Sequence, residues 1–461
     1  MRIGIVGVGR IGSFHAQTLA ADPTVTDLVL LDPSATAAAA VASQLGATVA
    51  PDLDALLRRD LDALLVTSAT HTHAEVLLAG VRAGLPTFCE KPVAASLDET
   101  IELARLEAAS GVPIQVGFQR RFDTAYGRLR AAIASGELGF VHTIRAATHD
   151  QSPPHPGYLP TSGGLFRDAA IHDYDVIRFV TGREVAQVYA AGANKGQKFF
   201  TEAGDVDTAA ALLTLDDDTL VVTSVTRYNR AGHDIRMEVH GSLGALAAGL
   251  DDRYPMTSAE PGARFPAGPA HQSFLERFAA AYRAEMTEFV QVAAGAVPSR
   301  CTVADALEAF RVAEACGISR REGRPVALAR LVSPQFVGHP DLFAADRFHP
   351  SGAGYDRAMQ VLLPAAIAEL EQETTIKLGT PPLREDTHPY LGRSSWYPEG
   401  VRENGMYSHG VQWLVGAARV LSDRARAAGD AEGAKEYAET ALRLWKKVAA
   451  VYHAGPGEIE T

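Results

Sequence analysis

Arg2-Ile3-Gly4-Ile5-Val6-Gly7-Val8-Gly9-Arg10-Ile11-Gly12 is the stretch whose reading decides the fold. Ile3 to Val6 form a short apolar run with the composition of a buried strand, and Gly7, Gly9 and Gly12 follow at GxGxxG spacing to open a helix. Each glycine has a separate physical reason: Gly7 for the tight turn, Gly9 for close approach of a pyrophosphate to the backbone, Gly12 for close packing of helix on sheet. A diphosphate there would sit on free helix N-terminal amides, beside Arg10 and Ile11, where the helix dipole favours negative charge. Asp32 stands twenty residues past Gly12, at the end of the apolar run Asp27 to Leu31. A carboxylate at that point binds both hydroxyls of an adenosine ribose and repels a 2′-phosphate, so the expected cofactor is NAD rather than NADP.

From this stretch outward to about Gly117, strand-like runs alternate with helical segments, the pattern of a parallel sheet with right-handed crossovers. The strands are expected at Arg2 to Val6, Asp27 to Leu31, Ala63 to Thr67, Pro86 to Cys89 and Pro113 to Val116. Helices are expected to start near Ile11, Ala35, His73 and Leu97. Ligands bind at the carboxyl ends of such strands. That places Thr67 to His73, and Glu90-Lys91-Pro92, at the cofactor edge.

After Arg121 the period changes to two. Val141 to Thr148, Val185 to Ala191, Val206 to Leu215, Thr219 to Arg227 and Arg236 to His240 read as strands of a mostly antiparallel sheet, with Asp216-Asp217-Asp218 as a hairpin turn. Such a sheet is covered by helices on one face and can pair with another subunit through the other. Helices are expected from Ser273 to about Ala293 and from Val303 to Arg320.

The chain has 461 residues, too many for one ordinary core. Four segments are expected: a dinucleotide-binding Rossmann domain over 1–120, an α+β open antiparallel-sheet substrate and oligomerisation domain over 121–330, and a mostly helical C-terminal extension made of two further segments, 331–375 and a helical 376–461. A net charge of -12 argues against nucleic acid and anionic membrane as partners. The three cysteines, Cys89, Cys301 and Cys316, have neither metal-ligand nor disulfide spacing, so no metal is expected and a reducing cytoplasm fits.

Five segments together resemble the glucose-fructose oxidoreductase and inositol dehydrogenase superfamily, and within it the inositol 2-dehydrogenases. They are Gly7 to Gly12, Thr70-His71-Thr72-His73, Glu90-Lys91-Pro92, Gly117 to Asp123, and Ser162 to Asp173. The resemblance implies a Rossmann domain followed by an open-sheet substrate domain, a polyol or sugar substrate, and a homo-oligomer, dimer or tetramer. It also implies Lys91, Asp168 and His172 as the catalytic group. The chemistry agrees with that assignment. Oxidising a secondary alcohol needs a base for the hydroxyl proton, and His172 suits neutral pH. Lys91 would stabilise the developing alkoxide. Asp168, four residues before His172 and so on the same helix face, would orient it or bind substrate. Further expected cofactor contacts are Thr67, His71, His73, Glu90 and Lys91. Arg120 and Gln151 are expected on the substrate side, with Asp123 and one of Asp173 or Asp175 as additional candidates. The resemblance also allows a cis turn at Lys91-Pro92. The proline-rich stretch between His149 and Ser162 is expected to lie over the site and set specificity.

The last third departs from this pattern. Leu342 to Tyr355 resembles the final block of SGNH (GDSL-type) esterases, with Asp346 and His349 matching the pair that activates a serine. No Gly-Asp-Ser nucleophile block occurs in the chain, so the pair has nothing to deprotonate. Trp396 to Gly410 resembles a late segment of inverting glycoside phosphorylases, without the upstream catalytic acid. Two joined fragments, loosely packed and without hydrolase or phosphorylase activity, are expected there. Two other readings stay open at this stage: a carbohydrate-active hydrolase or phosphorylase fusion, and a non-catalytic NAD-binding sensor.

Overall fold

A computed structural model describes residues 1–328 of the chain. The expectations for 331–375 and 376–461, including Asp346 and His349, lie outside the described residues.

The opening stretch forms strand β1 (Arg2–Val6), and with β2 (Asp27–Leu31), β3 (Thr48–Val49), β4 (Ala63–Val66), β5 (Thr87–Glu90) and β6 (Ile114–Gly117) it makes a six-stranded sheet. Every pairing in this sheet is parallel, in the order β3-β2-β1-β4-β5-β6. The order reverses direction between β1 and β4. Loops on either side of that point turn opposite ways and leave a crevice at the strands' carboxyl ends. Ile3, Ile5, Leu28, Leu30, Ala63 and Leu65 are almost wholly buried. They explain the apolar runs, because both faces of a parallel sheet are covered by helices. Helix 10–20 follows β1 directly, and helix 70–82 follows β4 three residues earlier than its apolar pattern predicts. The sequence reading missed β3 and the short helix Leu53–Leu57, which are too short to show a period.

The second sheet contains β7 (Val141–His149), β8 (Val185–Ala193), β9 (Thr208–Leu215), β10 (Leu220–Thr226), β11 (Asp234–Gly241), β12 (Gly244–Ala248) and β13 (Val326–Ala327). Its order is β12-β11-β7-β10-β9-β8-β13. The expected antiparallel character holds with one correction: β7 and β10 run parallel, so the sheet is mixed. Period-two patterning reports which face is buried and is blind to strand direction. Asp218 closes the β9–β10 turn at φ 66, which Asp tolerates better than most residues. The expected helix over 273–293 is broken at Phe278 into Phe274–Arg277 and Ala279–Ala293. Helices 171–181 and 303–322 pack on the inner face of this sheet. On its outer face Tyr189, Leu212 and Val222 lie side by side across β8, β9 and β10, and each is 44–45% exposed.

Candidate active site

The glycine turn has the shape a dinucleotide needs. Gly7 has φ +96, and a Cβ on it would stand 2.5 Å from the Ser68 backbone. A Cβ on Gly12 would stand 2.1 Å from the Gly7 carbonyl oxygen, so only glycine lets helix 10–20 start this close to the sheet. A Cβ on Gly9 would meet no protein atom within 4 Å; it would project into open space beside the uncapped first turn of that helix. These are the properties of a diphosphate cradle, with free amides and room for oxygen atoms. Asp32 lies next to it. Its Oδ2 accepts the Val8 N–H at 2.8 Å and its Oδ1 accepts the Ser34 N–H at 2.8 Å, which fixes the carboxylate while leaving lone pairs for a ribose diol. Arg10 is exposed, with its guanidinium 4.9 Å above the Phe274 ring, and Ile11 is half-buried.

Three of the expected cofactor contacts have their side chains engaged within the protein. Thr67 is buried, and its hydroxyl donates to the Gly7 carbonyl at 2.6 Å, so it braces the turn from behind. His73 is also buried, with Nδ1 2.8 Å from the Pro92 carbonyl and Nε2 3.0 Å from the Ser68 carbonyl. Burial lowers its pKa, and the two carbonyls only partly oppose that. It ties the loop after β4 to the Lys91-Pro92 turn, whose peptide bond is cis. Glu90 turns inward to His15. His71, by contrast, is exposed on the first turn of helix 70–82, at the sheet's carboxyl edge.

Lys91 follows β5 and meets Asp168 from the second half of the chain. Its Nζ donates to the Asp168 main-chain carbonyl at 2.8 Å and lies 3.3 Å from Oδ1. Tyr158, from the proline-rich loop, donates to Oδ1 at 2.9 Å, and Arg227, after β10, donates to Oδ2 at 2.5 Å. Burial alone would raise the Asp168 pKa. The Lys91 and Arg227 cations, with the hydrogen bonds from Arg227 and Tyr158, outweigh it and bring the value down to about 2. Asp168 is therefore an anion over the whole working range. Arg227 also donates to Asp150 Oδ2 at 2.7 Å, and Asp150 faces His233 Nδ1 at 3.5 Å.

The expected Asp168–His172 contact is not made. Residues 166–170 form a π-helical turn, and Asp168 is drawn to Lys91, Arg227 and Tyr158 instead. His172 lies edge-on to Phe118, with Nδ1 buried and without a partner among the described residues. Desolvation lowers its pKa well below the ordinary value, and the positive charge of Lys91 and Arg120 adds to the effect. A neutral imidazole held in this way is a proton acceptor at neutral pH.

Arg120, expected on the substrate side, has its guanidinium engaged within the protein. It is 2% exposed, and its guanidinium donates to Asp173 and to Thr148, which itself donates to Asp173. Asp175 is likewise buried against Arg121, and Asp123 caps helix 124–134 and accepts from Arg277. Each of these aspartates is already paired with an arginine. Buried charges must be paired, and here the pairing is internal. Removing one partner of such a pair strands the other. Asp173→Asn is thus expected to lower unfolding free energy by about 3–5 kcal/mol, measured by urea denaturation. A loss below about 1 kcal/mol, the size expected of a surface pair, would refute it. Gln151 is half-buried beside the loop and donates to Gln272.

The sequence reading did not single out Arg227, Asp150, Tyr158 or His233 as site residues. Arg227 follows β10 and His233 precedes β11, at the two ends of one short connection; Arg227 stands 59 residues after Asp168, and no local spacing joins either to it.

Two family models match the chain: an oxidoreductase family with an NAD-binding Rossmann fold over residues 1–118, and the GFO/IDH/MocA C-terminal domain over residues 126–247. The chain is 42% identical to the myo-inositol dehydrogenase Hyg17 of Streptomyces leeuwenhoekii over 332 residues, which cover 71% of this chain and all of that protein. Its fold is similar to a myo-inositol dehydrogenase from Corynebacterium glutamicum, with TM-score 0.66, 31% identity, and 72% and 99% of the two chains covered. It is also similar to the scyllo-inositol dehydrogenase of Lactobacillus casei with bound NAD(H) and scyllo-inositol, with TM-score 0.63, 28% identity, and 71% and 99% covered. With the glycine cradle and Asp32 at one end of the crevice and Lys91 at the other, these matches establish that the chain belongs to the GFO/IDH/MocA family of NAD-dependent oxidoreductases.

Proposed function

We propose that this enzyme oxidises one secondary hydroxyl of a cyclitol to the ketone, with myo-inositol as the first substrate to test. The observation that carries the reading is the meeting of Lys91 with Asp168 at the carboxyl edge of the parallel sheet, close enough to His172 for the Lys91 charge to lower its pKa. Charge decides the substrate class. Around the site Lys91, Arg227 and Arg120 are each matched by Asp168, Asp150 or Asp173. Three cations against three anions leave no net charge, so a neutral polyol can enter without breaking an ion pair. A phosphate or carboxylate would have to compete for an arginine already held by aspartates.

The NAD that Gly7, Gly9, Gly12 and Asp32 would hold would supply the two-electron acceptor for the hydride leaving carbon. His172, neutral at working pH, receives the hydroxyl proton. The Lys91 ammonium lies against the oxygen that gains negative charge and stabilises it more in the transition state than in the alcohol. Asp168 holds that ammonium in place, and Arg227 and Tyr158 hold Asp168. Tyr158 brings the proline-rich loop down onto the same carboxylate, which makes that loop the specificity element. The cradle at Gly7, Gly9 and Gly12, with Asp32, Arg10 and Ile11, holds the cofactor, and His71 borders it. Gln151 is positioned to meet a substrate hydroxyl.

The exposed row Tyr189, Leu212 and Val222 supports a homo-oligomer formed through the outer face of the second sheet. Among the described residues no helix is long and apolar enough to cross a membrane. The alternative of a hydrolase or phosphorylase fusion rests on 342–355 and 396–410 alone, and nothing in the family matches supports it. A panel of inositols and sugars with NAD and NADP, followed by nucleotide absorbance, tests the reading. Reduction of NAD by an inositol, and much weaker reduction of NADP, is expected. No turnover on any cyclitol despite nucleotide binding would replace the reading with that of a sensor.

A further inference from the structure

Three ionisable side chains from three separate elements converge in the core next to Lys91. His15 lies on helix 10–20, Glu90 closes β5 and Glu285 lies on helix 279–293. One polar atom from each stands within 4.8 Å of the other two. His15 Nε2 and Glu90 Oε1 are 2.9 Å apart. Glu285 is fully buried, and among the described residues no N–H or O–H reaches either of its carboxyl oxygens. Phe88 and Tyr282 stand edge-on to the His15 ring, so the surroundings are aromatic rather than aqueous.

Two ionised carboxylates cannot rest in such a place. They repel each other in a poorly polarisable medium, and the oxygens of Glu285 would have no donor at all. One proton removes both difficulties, because a carboxylic acid donates to a neighbouring carboxylate and carries no charge itself. We infer that Glu285 is a neutral carboxylic acid sharing its proton with the Glu90 carboxylate, and that this pair, with His15, is a positioning device for Lys91. Glu90 is adjacent to Lys91 and accepts its backbone N–H at Oε2, 3.3 Å away. The same oxygen would stand 3.0 Å from a Cβ on Gly117, so β6 closes the pocket on that side. His15 belongs to the helix whose first turn forms the diphosphate cradle. Joining His15 to Glu90 therefore sets the spacing between the cradle and the lysine ammonium at opposite ends of the cofactor.

The groups that face Glu285 come from every neighbouring element. They are His15 from helix 10–20, Glu90 from β5, Asp175 from helix 171–181, Cys301 just before helix 303–322, and Tyr282 and Glu288 from its own helix, while Gln115 of β6 donates to its main-chain carbonyl. Burial pushes the Glu285 carboxyl well above the usual range, and Glu90, Glu288 and Asp175 push it further.

The test uses the full-length enzyme and two variants, Glu285→Gln and Glu285→Ala. An acid whose folded pKa lies above its unfolded value of about 4.3 stabilises the fold most below that value, and the benefit is lost as pH rises. Gln cannot titrate. The melting temperature of the unmodified enzyme should therefore fall relative to that of Glu285→Gln between about pH 5 and about pH 8. A gap that stays constant with pH overturns the neutral-acid assignment, as does one divalent metal ion per chain by elemental analysis. For positioning, Glu285→Ala should lower kcat about tenfold with little change in KM for NAD, and Glu285→Gln, whose amide still donates to Glu90, should recover most of it. Unchanged kcat in Glu285→Ala, or no recovery with Gln, overturns the positioning role. If Glu285→Ala does not fold, the melting series of Glu285→Gln still decides the protonation state. The kinetic arm rests on the cyclitol reading and the thermal arm does not, so their failures are separable.

Discussion

Lys91→Met is expected to lower kcat/KM for the cyclitol by about 10²–10³-fold while leaving nucleotide binding and melting temperature close to those of the unmodified enzyme. Among the described residues, the only side-chain ion pair of this ammonium is with Asp168. Arg227 bridges Asp168 and Asp150, and Arg120 is buried with Asp173. Neither arginine can swing to an alkoxide without stranding a buried aspartate. Methionine keeps the length of the stem and removes the charge. Asp168 remains ionised in the variant because Arg227 and Tyr158 still hold it. The loss should thus fall mainly on kcat, the signature of an interaction made in the transition state. A loss of less than about tenfold in kcat/KM, well under the 10²–10³-fold cost of removing one such charge-stabilising donor, would remove Lys91 from the chemistry and leave it a structural partner of Asp168.

His172→Gln is expected to cost about 10²–10⁴-fold, the range for loss of a general base. Its pH profile carries the sharper test. Desolvation, together with the charges of Lys91 and Arg120, lowers the His172 pKa well below its ordinary value. The base is active when neutral, so lowering its pKa extends activity to more acidic solution. In the unmodified enzyme the acid limb of kcat/KM should therefore be centred below about 6.5, the unperturbed histidine value. The limb should vanish in His172→Gln. An acid limb centred above about pH 7, well past the unperturbed value, or one that survives the substitution, would mean that another group takes the proton.

Much of this enzyme is legible in local sequence. Gly7, Gly9, Gly12 and Asp32 lie within one strand-turn-helix-strand unit, where backbone geometry makes spacing equivalent to position. Lys91 is legible for the same reason, since it is the second residue after a buried apolar run and must emerge at the sheet's carboxyl edge. The strands of the second sheet are legible as alternation, but their direction is not, and the parallel pairing of β7 with β10 went unread.

Charge partnership is where sequence reading ran out. Arg120 and Asp173 have the residue types of a substrate site, yet they are each other's partners in the core. Asp168 has the spacing to serve His172, yet two cations and a tyrosine from distant segments claim it. A side chain's charge is a local property, whereas its partner depends on which elements the fold brings within a few ångströms.

By itself, then, the sequence determined the dinucleotide cradle, the placement of Lys91 and the succession of a parallel and a period-two sheet, because each follows from periodicity and turn chemistry over a few dozen residues. Only the tertiary structure decided that Arg227 and Tyr158 fix Asp168 while Asp150 holds Arg227, that the side chains of Thr67, His73 and Glu90 are engaged within the protein, and that Glu285 meets Glu90 and His15. Ion pairs and buried carboxyls are settled by desolvation and distance, and both exist only once the chain has closed on itself.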